Sequence, residues 1–98
     1  MPSYELSLEA EQDLLDIALY GLVNFGLQQS EDYRDGVKKR FQALAERPLQ
    51  YQAVDEIREG YRRSVYRSHS IYYRVEGTRI VIMRILGRQD TTSAVKGS

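Results

Sequence analysis

Residues 57–90 read IREGYRRSVYRSHSIYYRVEGTRIVIMRILGRQD, three runs rich in Tyr, Val and Ile with two short breaks between them. β-Branched and aromatic residues suit a pleated, half-buried surface. The spacing predicts an antiparallel three-strand meander over 61–66, 70–75 and 80–86. Arg67-Ser68 forms the first turn, and Glu76-Gly77-Thr78 supplies a glycine-containing hairpin turn. The third run is the most apolar, which places it centrally in the sheet. Such a sheet has an apolar side that must be covered.

The first half of the chain reads as helical. Tyr4-Glu5-Leu6-Ser7-Leu8 alternates apolar and polar residues, as a short strand with one buried face does. Ser7 then caps a helix whose first turn carries Glu9 and Glu11, acids favoured at the positive end of the helix dipole. Leu14, Ala18, Leu22 and Phe25 follow helical spacing, and Leu15, Leu19 and Val23 add a second stripe beside them. Burial of this helix between the sheet and a second helix is the simplest way to absorb so broad an apolar arc. A docking surface is the alternative. Gly26 suits a helix end, and Ser30 followed by Glu31 and Asp32 signals a second start. Tyr33, Val37, Phe41, Leu44 and Ala45 hold the helical period until Pro48 forbids continuation. With so few residues between them, the helices should form an antiparallel hairpin. Residues 48–60 read as a connector. The expected fold is therefore α+β in a single domain over 1–98, with 91–98 a polar, fraying tail.

Composition excludes several classes. The hydrophobic share of 42% and charged share of 29% fit a folded domain, not a disordered one. No apolar run approaches the roughly 20 residues that cross a bilayer, and no secretory signal is visible at the N-terminus. The absence of cysteine removes disulfides and thiolate chemistry and fits a reducing cytoplasm. The net charge of zero hides a strong asymmetry. Residues 1–56 carry five basic against eleven acidic groups, and residues 57–98 carry nine against three. Nearly all of the basic half is arginine, whose planar fork suits carboxylates and phosphates.

No P-loop, GxGxxG, HExxH or nucleophile elbow appears. His69, the one histidine, is the general-base candidate, but a single histidine at a turn is more often structural. No metal ligands cluster, and no cofactor motif is present. Lys38, Lys39 and Arg40 read as a solvated helix face. On the last strand strict alternation sets Arg84 among Ile80, Ile82 and Leu86, so Arg84 needs an acid, with Glu59 and Asp90 as candidates, or a functional role. Arginines with interleaved tyrosines also fit an RNA surface, though tyrosine is an ordinary strand residue.

Three segments, in order, give the chain a family likeness: Leu44-Ala45-Glu46-Arg47-Pro48, Asp55-Glu56-Ile57-Arg58-Glu59-Gly60-Tyr61-Arg62 and Arg84-Ile85-Leu86-Gly87-Arg88-Gln89-Asp90. With His69-Ser70-Ile71-Tyr72-Tyr73-Arg74 between the last two, the sequence resembles the RelE/ParE superfamily of type II toxin–antitoxin systems over nearly its whole length. The RelE branch implies a ribosome-dependent messenger-RNA endoribonuclease. Such an enzyme usually has an arginine where Ser70-Ile71-Tyr72 stand here and a tyrosine or histidine near the C-terminus, which TTSAVKGS lacks. The Gly-Arg-x-Asp exit resembles instead the ParE branch, which implies a non-enzymatic inhibitor of DNA gyrase that acts in the cytoplasm and stabilises plasmids. That resemblance implies two partners, gyrase and a ParD-like antitoxin, with no sequence-specific binding to nucleic acid. On this reading Arg58, Arg62, Arg63, Arg88 and Asp90 are candidates for contacting the target. Leu15, Leu19, Val23, Arg74 and Arg84 are candidates for contacting the antitoxin.

Overall fold

The computed structural model describes residues 2–87. Its elements are β1 (Ser3–Leu6), α1 (Leu8–Phe25), α2 (Leu27–Glu46), β2 (Gln52–Ala53), β3 (Arg62–Tyr66), β4 (His69–Glu76) and β5 (Arg79–Gly87). The strands make one mixed sheet in the order β1-β5-β4-β3-β2. β3, β4 and β5 form the expected antiparallel meander. β1 joins the far side of β5 in parallel, Ser3 opposite Arg79 and Leu6 opposite Ile82.

Both helices pack on one face of the sheet. Phe41, Leu44 and Val37 of α2 meet Ile71, Tyr73, Ile80, Ile82 and Ile85 of the sheet in the main core, with Tyr4 and Leu6 packed at its margin. The opposite face is covered by the segment that leads from α2 into β3. Val54 and Tyr61 there bury against Tyr72, with Met83 and Leu86 alongside. Tyr73 secures the start of this segment by donating its hydroxyl to the Pro48 carbonyl at 2.6 Å, and burial pushes its phenol up to about 12.

The caps of α1 follow the sequence. The Ser7 hydroxyl accepts from the Ala10 amide at 3.0 Å and also donates to the Met83 carbonyl at 2.9 Å. One side chain thus starts the helix and fastens it to β5. Gly26, at φ 91°, ends α1 and is the single residue between the helices.

Three expectations need correction. α2 begins at Leu27, so Ser30 does not cap it. Instead Ser30 is buried and donates to the Ala18 carbonyl at 2.7 Å, bridging the hairpin where Gly21 lets the helices approach. The connector contains β2, which pairs Gln52 with Arg63 and Ala53 with Arg62. β5 is interior as expected, flanked by β1 and β4, but the middle strand of the five is β4, because β3 and β2 extend the sheet on its other side. The alternation along β5 is also broken. Tyr72 pairs with Arg84 but Tyr73 pairs with Ile82, so Met83 is an extra residue, a β-bulge. Ile80, Ile82 and Ile85 therefore face the helices while Met83 and Leu86 face the other way.

Candidate partner-binding face

α1 is held by few residues. Ala10 is its one fully buried side chain among the described residues, with Leu14 and Ile17 partly buried beside it. Leu15, Leu19, Leu22 and Val23 remain 52%, 50%, 44% and 82% exposed. The expected burial of α1 between sheet and second helix is thus incomplete. A short sheet flanked by a second helix has only one stripe of α1 to cover, and the second stripe is left in solvent. Exposed leucines scattered singly need no explanation, but four on one helix row form a contiguous patch.

Leu15, at one end of this row, lines a groove of about 310 Å³ between the two helices. Tyr4, Leu6 and Phe41 lie at its base, and Leu14, Leu15 and Ala18 line the α1 side. Arg34 and Lys38 stand on the α2 side, facing Glu11. Neither cation makes an ion pair among the described residues. Like charges one helical turn apart cost a few tenths of a kcal/mol, so their pairing on the groove favours an acidic visitor. The sequence did not single out Arg34, read Lys38 as part of a solvated face, and placed Leu22 on the first apolar stripe. The accessible signal was that Arg34 and Lys38 share the helical face of Phe41.

Arg40 departs from the solvated face assigned to it. Its guanidinium donates to the Ser64 hydroxyl at 2.8 Å and the Val65 carbonyl at 3.0 Å and lies over the Tyr66 ring. It blunts the edge of β3 beyond the two residues that β2 protects.

Several other arginines have specific partners among the described residues. Arg84 projects from the bulge and binds Asp13 of α1 through two hydrogen bonds of 2.8 and 3.1 Å, while Asp13 also accepts the Ile85 amide at 2.9 Å. Glu9 approaches the same guanidinium at 3.6 Å. Its acid is therefore Asp13, not Glu59. Hydrogen bonding to Asp13 raises the Arg84 pKa further above its ordinary value. Arg74 pairs with Glu76 at 2.5 Å on β4, and Arg79 bridges Glu5 and Glu76. Arg62 donates to the Tyr51 carbonyl at 2.6 Å, and Arg58 stacks over Tyr61. Arg63 sits beside Arg62 on β3, between Gln52 and Tyr72. Arg58, Arg62 and Arg63 are thus brought to the β2–β3 end of the sheet. Arg88 and Asp90 lie outside the described residues.

His69 is engaged as well. Its Nδ1 lies 2.6 Å from the Tyr33 hydroxyl, and burial holds its pKa below the usual histidine range. Nδ1 is thus held by a phenol, and no carboxylate bonds to the ring among the described residues. Among the described residues no helix is long and apolar enough to cross a membrane, and no group of His, Asp and Glu converges as a metal site.

Comparison with known proteins identifies the family. A family model described as the ParE toxin of the type II toxin–antitoxin system parDE matches residues 4–91. Toxin ParE1 of Caulobacter vibrioides is 38% identical over 86 residues, covering 88% of each chain. Toxin ParE1 of Mycobacterium tuberculosis is 36% identical over 85 residues, 85% of this chain and 86% of its own. A chain in the solved structure titled "Chromosomal ParDE TA system from P. aeruginosa" superposes with a TM-score of 0.77 at 22% identity. That superposition covers 89% of this chain and 96% of the other, and shows that the two share a fold.

Proposed function

This chain belongs to the ParE toxin family of type II toxin–antitoxin systems, and on that premise we propose that it inhibits DNA gyrase by binding, without catalysis, and is silenced by a ParD-like antitoxin. The observation that carries the antitoxin half is the exposed row Leu15, Leu19, Leu22 and Val23, whose Leu15 end shares a groove with Arg34 and Lys38, cations without an ion pair among the described residues. An amphipathic segment with apolar residues on one side and acids on the other fits such a face. Arg84 serves this face indirectly, because it fixes α1 on β5 through Asp13. Arg74, tied to Glu76, lies on the sheet face turned away from the helices, so it meets the antitoxin where that partner wraps round the sheet edge.

The target half rests on family membership. The target is met by the β2–β3 end, Arg58, Arg62 and Arg63, together with Arg88 and Asp90. Since gyrase works on the chromosome, the site of action is the cytoplasm. The RelE-like ribonuclease has no observation in its favour, since the one general-base candidate is bonded to Tyr33.

Purified chain added to gyrase should abolish supercoiling of a relaxed plasmid. Added antitoxin should restore it. Primer extension after induction should show no new messenger-RNA ends. Codon-phased cuts with normal supercoiling would overturn the reading.

A further inference from the structure

Beneath the closed end of the helical hairpin lies a cleft of about 520 Å³, separate from the groove beside Leu15. Its α1 wall is aromatic. Tyr20 and Phe25 are 65% and 59% exposed, and their rings meet edge to face at 6.2 Å, with Ile17 deeper in the cleft. Large aromatic side chains left in solvent on one concave wall mark a place where a flat apolar body can be buried.

The opposing wall is the β3–β4 turn, Arg67, Ser68 and His69. Arg67 is exposed, makes no ion pair among the described residues, and holds φ 53°, a left-handed backbone that costs a non-glycine residue about 1 kcal/mol or more. Its guanidinium rests over the Tyr66 ring at 5.7 Å. Strain of this kind places a cation at the mouth of the cleft. Behind it the Tyr33 hydroxyl spans His69 Nδ1 at 2.6 Å and the Tyr66 carbonyl at 3.3 Å. This occupies Nδ1 and leaves Nε2 as the ring nitrogen available to a ligand.

Charge narrows the class of occupant. Asp32, which accepts from Gln28 at 2.9 Å, lines the α2 side of the same cleft. A dianion would be repelled there, whereas a single negative charge can sit at the Arg67 end. Arginine's planar fork matches a carboxylate in particular. We propose that this cleft is a binding site for an aromatic carboxylate, its ring against Tyr20, Phe25 and Ile17 and its carboxylate on Arg67 and Ser68. The site is independent of the antitoxin and gyrase contacts above.

The test is an NMR titration of the full chain with indole-3-acetate, and in parallel with N-acetyl-Trp-Asp-amide, an aromatic residue flanked by an acid. Saturable shifts are expected at the Tyr20 and Phe25 rings, His69, and the Arg67 and Ser68 amides. Neutral indole should bind about tenfold more weakly than indole-3-acetate, the loss of one charge-assisted contact. Arg67→Gln, an exposed position where folding is checked by the unperturbed remainder of the spectrum, should weaken indole-3-acetate about tenfold. Tighter binding of the free acid assigns the site to a small molecule, and tighter binding of the dipeptide assigns it to a peptide. No saturation of either probe by about 10 mM, or binding indifferent to both Arg67→Gln and Tyr20→Ala, overturns the proposal.

Discussion

Asp13 carries three hydrogen bonds that join α1 to the bulge of β5, two from Arg84 and one from the Ile85 amide. With side chains 13% and 20% exposed, the pair is largely withdrawn from water. Removing one partner of such a pair strands the other charge and costs about 3–5 kcal/mol, while replacing both with apolar residues is often neutral. Asp13→Ala should therefore lower the urea midpoint sharply, and Asp13→Leu combined with Arg84→Met should recover most of the loss. If the double variant is as unstable as the single, the bulge needs the ion pair for its geometry. Gly36 is a second decisive residue. Alanine in a helix interior normally gains about 1 kcal/mol over glycine, but a Cβ here would run into the Tyr66 hydroxyl, with Cζ at 2.9 Å. Gly36→Ala should thus destabilise by about 1–3 kcal/mol. Tyr66→Phe in the same chain should return part of it, whereas a gain of stability in Gly36→Ala would contradict the packing. His69 sets a pH dependence. Its folded pKa lies below the unfolded value of 6.5 because of burial, so the unfolded chain binds the proton first. Stability is full above that value and falls as the pH drops toward the folded pKa. The groups around it, Tyr33 from α2 and Ser68 and Arg67 from the turn, with Asp32 in the same cleft, offer no carboxylate bonded to the ring. Thermal unfolding at about pH 7.5 and about pH 5.5 should show a smaller drop in Tm for His69→Gln than for the parent chain.

At the scale of elements, what the sequence could show was set by how local the cause was. The Ser7 and Gly26 caps were legible because capping needs one side chain or one backbone conformation. The Ser30 start was misread for the same reason: a good cap residue also makes a good buried bridge when the partner helix offers a carbonyl at 2.7 Å. The β5 alternation failed because a bulge is decided by the neighbouring strand, and nothing in Met83-Arg84 alone announces it. The second stripe of α1 was legible as an excess, but not its outcome, since exposure depends on how much of the helix the sheet can cover. That stripe gives a clean separation of stability from binding. Leu19→Glu and Val23→Glu replace exposed side chains and should change stability by less than about 0.5 kcal/mol. Buried under an antitoxin, two apolar anchors lost to charge should weaken the complex by roughly 100-fold or more. Isothermal titration beside urea unfolding separates the two effects. Full-strength antitoxin binding by the double variant would move the antitoxin off this face.

The molecule as a whole is closed by its least conspicuous strand. β1 was readable as a strand from its alternation, yet its pairing was not, because the partner lies 76 residues away for each pair in the register Ser3 to Arg79. Joining positions so distant costs loop-closure entropy before any contact repays it, so this pairing should form late in folding. Once formed it does three things. It covers the outer edge of β5, it seats Tyr4 against Phe41 at 5.3 Å between ring centres, and it delivers Ser7 to the Ile82 and Met83 carbonyls. Without β1 the chain presents a nine-residue strand, RIVIMRILG, with a bare edge, the kind of surface that templates aggregation. Losing the partly buried Tyr4 and Leu6 as well costs on the order of 2–5 kcal/mol each, against a total stability for such a domain of about 5–15 kcal/mol. Deletion of residues 2–6 should therefore abolish the cooperative urea transition and drive the protein into sedimenting aggregates, even though both helices and the whole meander remain encoded. A monomer of the shortened chain that unfolds cooperatively at the parent midpoint would show that β5 tolerates an open edge and that β1 is dispensable to the fold.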